Sequence, residues 1–75
     1  MSEVIITIPK NKEEEIREIC KRIKKRDKNF MYEIEKRKFG SFLIIYEQTR
    51  DKAWKKCCWF LNKVKCLKGV SFRVK

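Results

Sequence analysis

The chain has 75 residues, which is enough for one small domain and too few for two separate cores. Its 21 Lys and Arg residues exceed its 10 Asp and Glu residues, so the formal net charge is +11. Because histidine is absent, a Ser-His-Asp triad, a Cys-His pair and any histidine-ligated metal site are excluded. The hydrophobic class makes up 43% of the residues, which supplies a core and argues against disorder.

The first half of the sequence predicts a strand, a helix and a second strand. Residues 4–8 are all β-branched and stop at Pro9, which is typical of a strand. Asn11 is the predicted N-cap of the helix, because three glutamates follow in the first turn, where the helix dipole favours negative charge. Residues 30–36 alternate and predict a half-buried strand. Apolar side chains at helical spacing predict the inner face of the helix: Ile16, Ile19, Cys20 and Ile23.

The second half predicts a turn, a central strand, another helix and a final strand. Gly40 and Ser41 are predicted to form the turn, and residues 42–46 are apolar on both faces, as expected for a strand with two neighbours. The second helix is predicted over residues 50–66, and Gly69 ends it. The last strand is predicted from an alternating apolar set: Val70, Phe72 and Val74.

The order β-α-β-β-α-β predicts an α+β, two-layer sandwich that comprises residues 1–75 as one domain. Two right-handed β-α-β units joined by a hairpin form a four-stranded antiparallel sheet with both helices on one face. This ferredoxin-like arrangement occurs in proteins of many functions, so function must be argued from side chains. No secretory signal or membrane-spanning run is found, and a cytoplasmic protein is expected.

The positive charge is concentrated in three parts of the sequence. Residues 21–28 contain six basic residues and one acid, residues 36–38 are all basic, and residues 49–75 contain nine basic residues and one acid. In the predicted topology, the start of the second helix lies beside the basic end of the first helix, and the hairpin lies beside the end of the second. We therefore expect the cations to form one continuous track.

On the second helix, a spacing of about 100° per residue separates a core face from a basic face. Trp59 lies on the basic face among lysines, a setting that favours stacking on a base, a sugar edge or a partner side chain. The alternatives are that the lysines form only a solvated face and that Trp59 contacts another protein copy. The predicted core face contains Ala53, Cys57, Phe60, Leu61 and Val64, with Trp54 on its flank.

No combination of residues predicts catalysis or metal binding. The four cysteines include no CxxC pair, and Cys57 and Cys58 point about 100° apart on a helix, so buried or inactive thiols are expected. Glu33 and Glu35 are expected in surface ion pairs. We predict no enzyme activity, no cofactor and no metal site. The remaining aromatic residues are expected in the core: Phe30, Tyr32, Phe42, Tyr46, Trp54, Phe60 and Phe72.

The chain from residue 30 onward carries an ordered set of motifs. An acidic-basic hairpin (residues 34–38) leads to a strand, a helix rich in lysine and aromatic residues (52–63) and a closing strand with Phe72. This order resembles the eukaryotic large-subunit ribosomal protein twenty-two family. The chain lacks that family's basic N-terminal extension and acidic C-terminal tail, and the turn before the second helix also differs. The resemblance implies a non-catalytic protein that holds ribosomal RNA through the second helix and the hairpin.

The sequence therefore predicts a structural protein of the large ribosomal subunit. Its expected partner is folded ribosomal RNA, with neighbouring ribosomal proteins as further contacts and with no membrane and no small-molecule substrate. The expected location is the cytoplasmic ribosome. The predicted RNA-binding residues are Lys24, Lys25, Arg26, Lys28, Lys36, Arg37, Lys38, Arg50, Lys52, Lys55, Lys56, Trp59, Lys63 and Lys65.

Three other functions were weighed against this one. Base stacking on the sheet, as in the RNA-recognition fold, is disfavoured because the first strand has no aromatic residue. An acylphosphatase-like enzyme requires an arginine in the loop after the first strand, and residues 9–12 contain none. The main alternative is a homodimeric regulatory or interaction protein that uses the open sheet face, on which Ile5, Leu43 and Ile45 are expected.

Overall fold

A computed structural model describes residues 1–38, 40–64 and 70–75 of the chain. A 3-10 helix, Lys10–Lys12, joins the first strand to the first α-helix. Within the described residues, neither α-helix is long and apolar enough to cross a bilayer. The strands are β1 (Ser2–Pro9), β2 (Met31–Arg37), β3 (Gly40–Glu47) and β4 (Phe72–Val74), and the helices are α1 (Glu13–Arg26) and α2 (Arg50–Lys63).

The four strands form one antiparallel sheet in the order β2-β3-β1-β4. This topology confirms the predicted α+β fold with its β-α-β-β-α-β element order. The two central strands pair along their whole length, from Ser2 opposite Glu47 to Pro9 opposite Gly40. Strand β3 has a neighbour on each side, which explains why its sequence is apolar on both faces.

The core lies between one face of the sheet and the two helices. Val4 and Ile6 of β1 point into it, and they pair with Ile45 and Leu43 of β3, which are also fully buried. The prediction that Leu43 and Ile45 lie on the open face is therefore wrong, because their register fixes them on the helix side. The predicted helix faces are confirmed by burial of Ile16, Cys20 and Ile23 in α1 and Ala53, Cys57, Phe60 and Val64 in α2.

The start of α1 and the end of α2 differ from the predicted positions. Lys12, rather than Asn11, precedes α1, because the 3-10 helix adds a turn after β1 and includes Asn11. The three glutamates do occupy the first turn of α1, as predicted. Helix α2 ends at Lys63 with Val64 as its C-cap, so the predicted helix over residues 50–66 is wrong at Val64, whereas Cys66 and Gly69 lie outside the described residues.

The hairpin between β2 and β3 is tighter than predicted. Arg37 pairs with Gly40, so Lys36 and Arg37 belong to β2, and Gly40 and Ser41 belong to β3 rather than to the turn. Gly40 has a φ of +158°, and a Cβ built on it lies 2.9 Å from the carbonyl oxygen of Ile8. Glycine is needed here because β1 and β3 approach each other closely at this pair.

The aromatic residues expected in the core divide between the core and two other places. Phe30 and Phe60 are buried, as predicted, and their ring centres lie 6.5 Å apart. Trp54 and Phe72 are 43% and 44% exposed. Phe72 belongs to the short edge strand β4, and its ring packs edge to face against the ring of Trp54. Phe42 and Tyr46 are half-buried on the open face, since they alternate with the inward-pointing residues of β3.

Candidate nucleic-acid interface

Helix α2 has a cap at its start and side-chain contacts on two of its sides. The Thr49 hydroxyl accepts a hydrogen bond of 3.2 Å from the backbone N–H of Lys52 and caps the start of the helix. Trp54 contacts Phe72 at the β4 edge, whereas the Lys56 ammonium group lies 5.8 Å from the ring centre of Phe30, near β2. Since β2 and β4 are opposite edges of the sheet, the Lys56 side of α2 faces α1.

A basic groove follows this side of α2. It encloses about 370 Å³ and is lined by Lys52, Lys55, Lys56, Trp59 and Glu47. Lys52, Lys56 and Trp59 follow one another at intervals of four and three residues, so they share one side of the helix, and Lys55 lies next to them on the outer surface. We call this feature the α2 groove. It brings together Lys52, Lys55, Lys56 and Trp59 of the predicted set, on a surface that is separate from the core face.

The α2 groove continues into a larger hollow at the end of the sheet. This hollow encloses about 740 Å³, and it shares Glu47, Lys52 and Lys56 with the groove. Lys28, from the turn after α1, also lines it. The predicted proximity of the end of α1 to the start of α2 is therefore present, with Lys28 as the residue that connects the two.

Trp59 is 42% exposed, and its ring is in contact with two lysines. The ammonium groups of Lys56 and Lys63 lie 4.9 Å and 5.5 Å from its ring centre. Such cation–π contacts contribute about 0.5–1 kcal/mol each at exposed sites. The indole therefore holds two positive charges beside the groove. These contacts within the chain account for its exposed position, and no base stacked on the ring is needed to explain it.

Lys56 and Lys24, both in the predicted RNA-binding set, have structural partners within the chain. Lys56 lies 3.8 Å from the Glu47 carboxylate, and its side chain is only 24% exposed. Lys24 donates hydrogen bonds to the carbonyl oxygens of Lys28, at 2.8 Å, and Phe30, at 3.1 Å. Lys24 thus stabilises the turn between α1 and β2.

The hairpin residues lie apart from the α2 groove. Lys36 is 3.9 Å from the Glu13 carboxylate at the start of α1, and Arg37 is 2.7 Å from Glu35 on the open face. The guanidinium group of Arg37 also lies 5.5 Å from the ring centre of Phe42. These two predicted residues belong to the edge strand β2, so the expected continuous track does not include them.

Helix α1 contains Arg22, which is not in the predicted RNA-binding set. Glu13 and Lys24 contact residues of β2, which places their side of α1 toward that edge strand. Ile19 lies on the other side, and Arg22 and Arg26 follow it by three and seven residues on the side that faces α2. Arg26 was predicted, and the same spacing identifies Arg22. The other predicted residues with exposed positions are Lys25, Lys28, Lys38, Arg50 and Lys63, whereas Lys65 lies outside the described residues.

The open face of the sheet contributes no net charge among the described residues. The strand alternation puts three acids there, Glu3, Glu33 and Glu35, and three bases, Arg37, Arg73 and Lys75. Burial, followed by the nearby carboxylates of Glu33, Glu3 and Glu35, raises the pKa of Tyr46. Tyr46 therefore lies near carboxylates, whereas the Phe42 ring lies beside the Arg37 guanidinium.

The described thiols are not placed for chemistry. Burial raises the pKa of Cys20 to about 12, so its thiol stays protonated at neutral pH. Burial also raises the pKa of Cys57, while Cys58 is exposed on the other side of α2. In the described part of the chain, no three His, Cys, Asp or Glu side chains are grouped so that they could hold a metal ion.

Comparisons with protein families, with curated proteins and with solved structures give no match to this chain. The resemblance of residues 30–75 to a ribosomal protein family stays a prediction from the sequence.

Proposed function

We propose that this chain is a non-enzymatic domain that binds folded RNA through the α2 groove. The observation that supports it is the group of lysines on one side of α2, Lys52, Lys55, Lys56 and Lys63, beside the exposed Trp59. The open sheet face is neutral by comparison, so the positive surplus is concentrated on other parts of the surface. A polyanion gains affinity by releasing counterions where several cations lie close together.

A base-paired RNA segment fits this surface better than a single strand. From Lys52 to Lys63, helix α2 rises about 16 Å, which is a length suited to several successive phosphates. The cations project from a rigid helix and contact backbone geometry, which is how double-stranded RNA is recognised. Single strands are bound by aromatic platforms in positive surroundings, whereas the open sheet face carries as many acids as bases, with the carboxylates of Glu33, Glu3 and Glu35 near Tyr46.

The place of this domain in the large ribosomal subunit is a further part of the proposal. It rests on the resemblance of residues 30–75 and on the absence of any predicted catalytic group. Sedimentation of the native protein through a sucrose gradient tests it directly. Comigration with large subunits at low salt supports the ribosomal assignment, and a free peak at low salt contradicts it while leaving RNA binding open to the next experiment.

The binding site is tested by charge reversal at the exposed residues of the groove. We expect Lys52→Glu with Lys55→Glu to weaken binding to a 20-base-pair RNA duplex by at least about tenfold. The slope of log K against log salt should also become shallower by about 1.4–1.8, the contribution of two phosphate contacts. The matched control is Lys10→Glu with Lys21→Glu, which changes the net charge equally at exposed positions outside the groove.

Equal loss of binding in the two double variants would show that net charge alone attracts the RNA. The α2 groove is then not the binding site. Circular dichroism of both variants excludes unfolding as the cause of any loss, since all four lysines are exposed.

A further inference from the structure

One row of residues crosses the open face of the sheet from edge to edge. Glu33 of β2 pairs with Ile44 of β3, Ile44 pairs with Ile5 of β1, and Ile5 pairs with Arg73 of β4. The row therefore has an acid at one edge, two isoleucines in the centre and a base at the other edge. Three strand spacings, about 14 Å, separate the two charges, so they cannot pair within one molecule.

We propose that a second copy of this chain packs on the open face, related by a two-fold axis that runs along the strands. This axis places Glu33 of each copy over Arg73 of the other. It also places Ile44 of each copy over Ile5 of the other, so that the centre of the contact is apolar. A two-fold contact requires a surface that complements itself, and this row meets that requirement.

The charges distinguish this arrangement from the other face-to-face dimer. A two-fold axis across the strands places Glu33 over Glu33 and Arg73 over Arg73, and like charges in contact are unfavourable. The charges of the neighbouring rows are divided less sharply. Glu35 and Arg37 add one acid and one base on the β2 side, and Glu3 and Lys75 add one acid and one base on the side of β1 and β4. The row from Glu33 to Arg73 therefore carries the charge difference between the two halves, and the axis along the strands brings the acidic end of this row onto the basic end.

The available side chains have the character of a contact surface. Ile44 and Phe42 are only half-buried, and the core cluster does not contain them, whereas Ile5 is only 9% exposed. Among the described residues, Glu33 and Arg73 have no ion-pair partner. Face-to-face packing of two such sheets at about 10 Å removes Ile44 and Phe42 from water and supplies each of the two charges with an opposite one.

The size of the face sets the expected strength of the dimer. Three strands of seven or eight residues and the three-residue strand β4 give a flat area of roughly 400 Å² per copy. The total of roughly 800 Å² lies below the area of about 1,200 Å² that is typical of stable specific interfaces, so we expect a weak dimer with a dissociation constant on the order of 100 µM. Repulsion between the two cationic molecules is limited, because both helix layers point outward and away from the contact.

Sedimentation equilibrium without RNA tests this inference independently of the proposed function. We expect the wild-type chain to change from monomer to dimer between about 5 and about 500 µM. Glu33→Arg and Arg73→Glu should each weaken dimerisation by about tenfold or more, because each places like charges opposite one another. The double variant restores opposite charges and should restore the dimer. Glu18→Arg with Lys21→Glu, an exchange on α1, is the control and should leave dimerisation unchanged.

Two results overturn the inference. The first is a wild-type chain that stays monomeric over the whole concentration range. The second is a dimer that both single reversals leave intact, because such a dimer uses another surface. Both variants carry exposed substitutions on strands, and circular dichroism verifies that they fold.

Discussion

The ammonium group of Lys56 lies 4.9 Å from the centre of the Trp59 ring, while the same group is 3.8 Å from the Glu47 carboxylate. The indole and the carboxylate together fix a lysine that would otherwise sample many rotamers. Lys63 contacts the same ring from the next turn of α2. The charges beside the groove are therefore held in place before any ligand arrives, which lowers the entropic cost of binding.

The two tryptophans offer separate fluorescent probes for the groove. Trp59 lines it, whereas Trp54 packs against Phe72 at the β4 edge. In Trp54→Phe, the remaining emission comes from Trp59, and we expect an RNA duplex to quench or shift it. In Trp59→Phe, the emission of Trp54 should stay the same upon RNA addition. A change in the emission of Trp54 alone would show that the RNA contacts the other side of α2.

Charge reversal at Lys56 should lower the unfolding free energy of the domain more than charge reversal at its neighbour Lys55. Lys56→Glu places a carboxylate beside Glu47 in a half-buried site and removes the contact with Trp59, so we expect a loss of about 1–2 kcal/mol in unfolding free energy. Lys55→Glu, at an exposed position, should change it by less than about 0.5 kcal/mol. Urea denaturation measures both. Equal values would mean that the Glu47 pair contributes no stability.

Glu13 should make the stability of the domain sensitive to acid. The hydrogen bond from Ser41 lowers the pKa of Glu13 below its ordinary value of 4.5; burial opposes this effect, and Lys36 and Arg17 reinforce it. A lowered pKa means that the unfolded chain binds the proton more readily, so the stabilising effect is present above about pH 4.5 and is lost as the pH falls through the folded value. Glu13→Gln should therefore be less stable than wild type at pH 7, with a difference that shrinks below pH 4.5.

The control for this effect is Glu14→Gln, an exposed neighbour in the same helical turn. Its difference from wild type should be smaller at pH 7 than that of Glu13→Gln. Thermal unfolding over a series of pH values measures both variants. A Glu13→Gln difference that stays constant from pH 7 to pH 3 would contradict the assigned role of the carboxylate.

Gly40 should tolerate no side chain without a cost. In Gly40→Ala, the new Cβ lies 2.9 Å from the carbonyl oxygen of Ile8, so β1 and β3 must separate or shift. We expect a loss of about 1–3 kcal/mol, as for other overpacked sites. Gln48→Ala, at an exposed position beyond the other end of β3, serves as the control and should stay within about 0.5 kcal/mol of wild type. Chemical denaturation compares them.

Much of the fold follows from local patterns in the sequence. Ala53, Cys57 and Phe60 recur at helical spacing, and a helix with that spacing buries them on one side wherever it packs. The same spacing separates Trp59 from the core. The inner face of strand β3 could not be predicted in this way, because residues 42–46 are apolar on both faces and show no alternation. The pairing of β3 with β1 determines which of its residues face the helices.

The sequence by itself determined the charge surplus, the order of the elements and the inner face of each helix, because these depend on composition and on residues a few positions apart. The tertiary structure alone decided which cations share a surface. Lys36 meets Glu13 and Lys56 meets Glu47 because strand register and helix packing join distant parts of the chain. The same register assembled the row from Glu33 to Arg73, whose four residues come from four different strands.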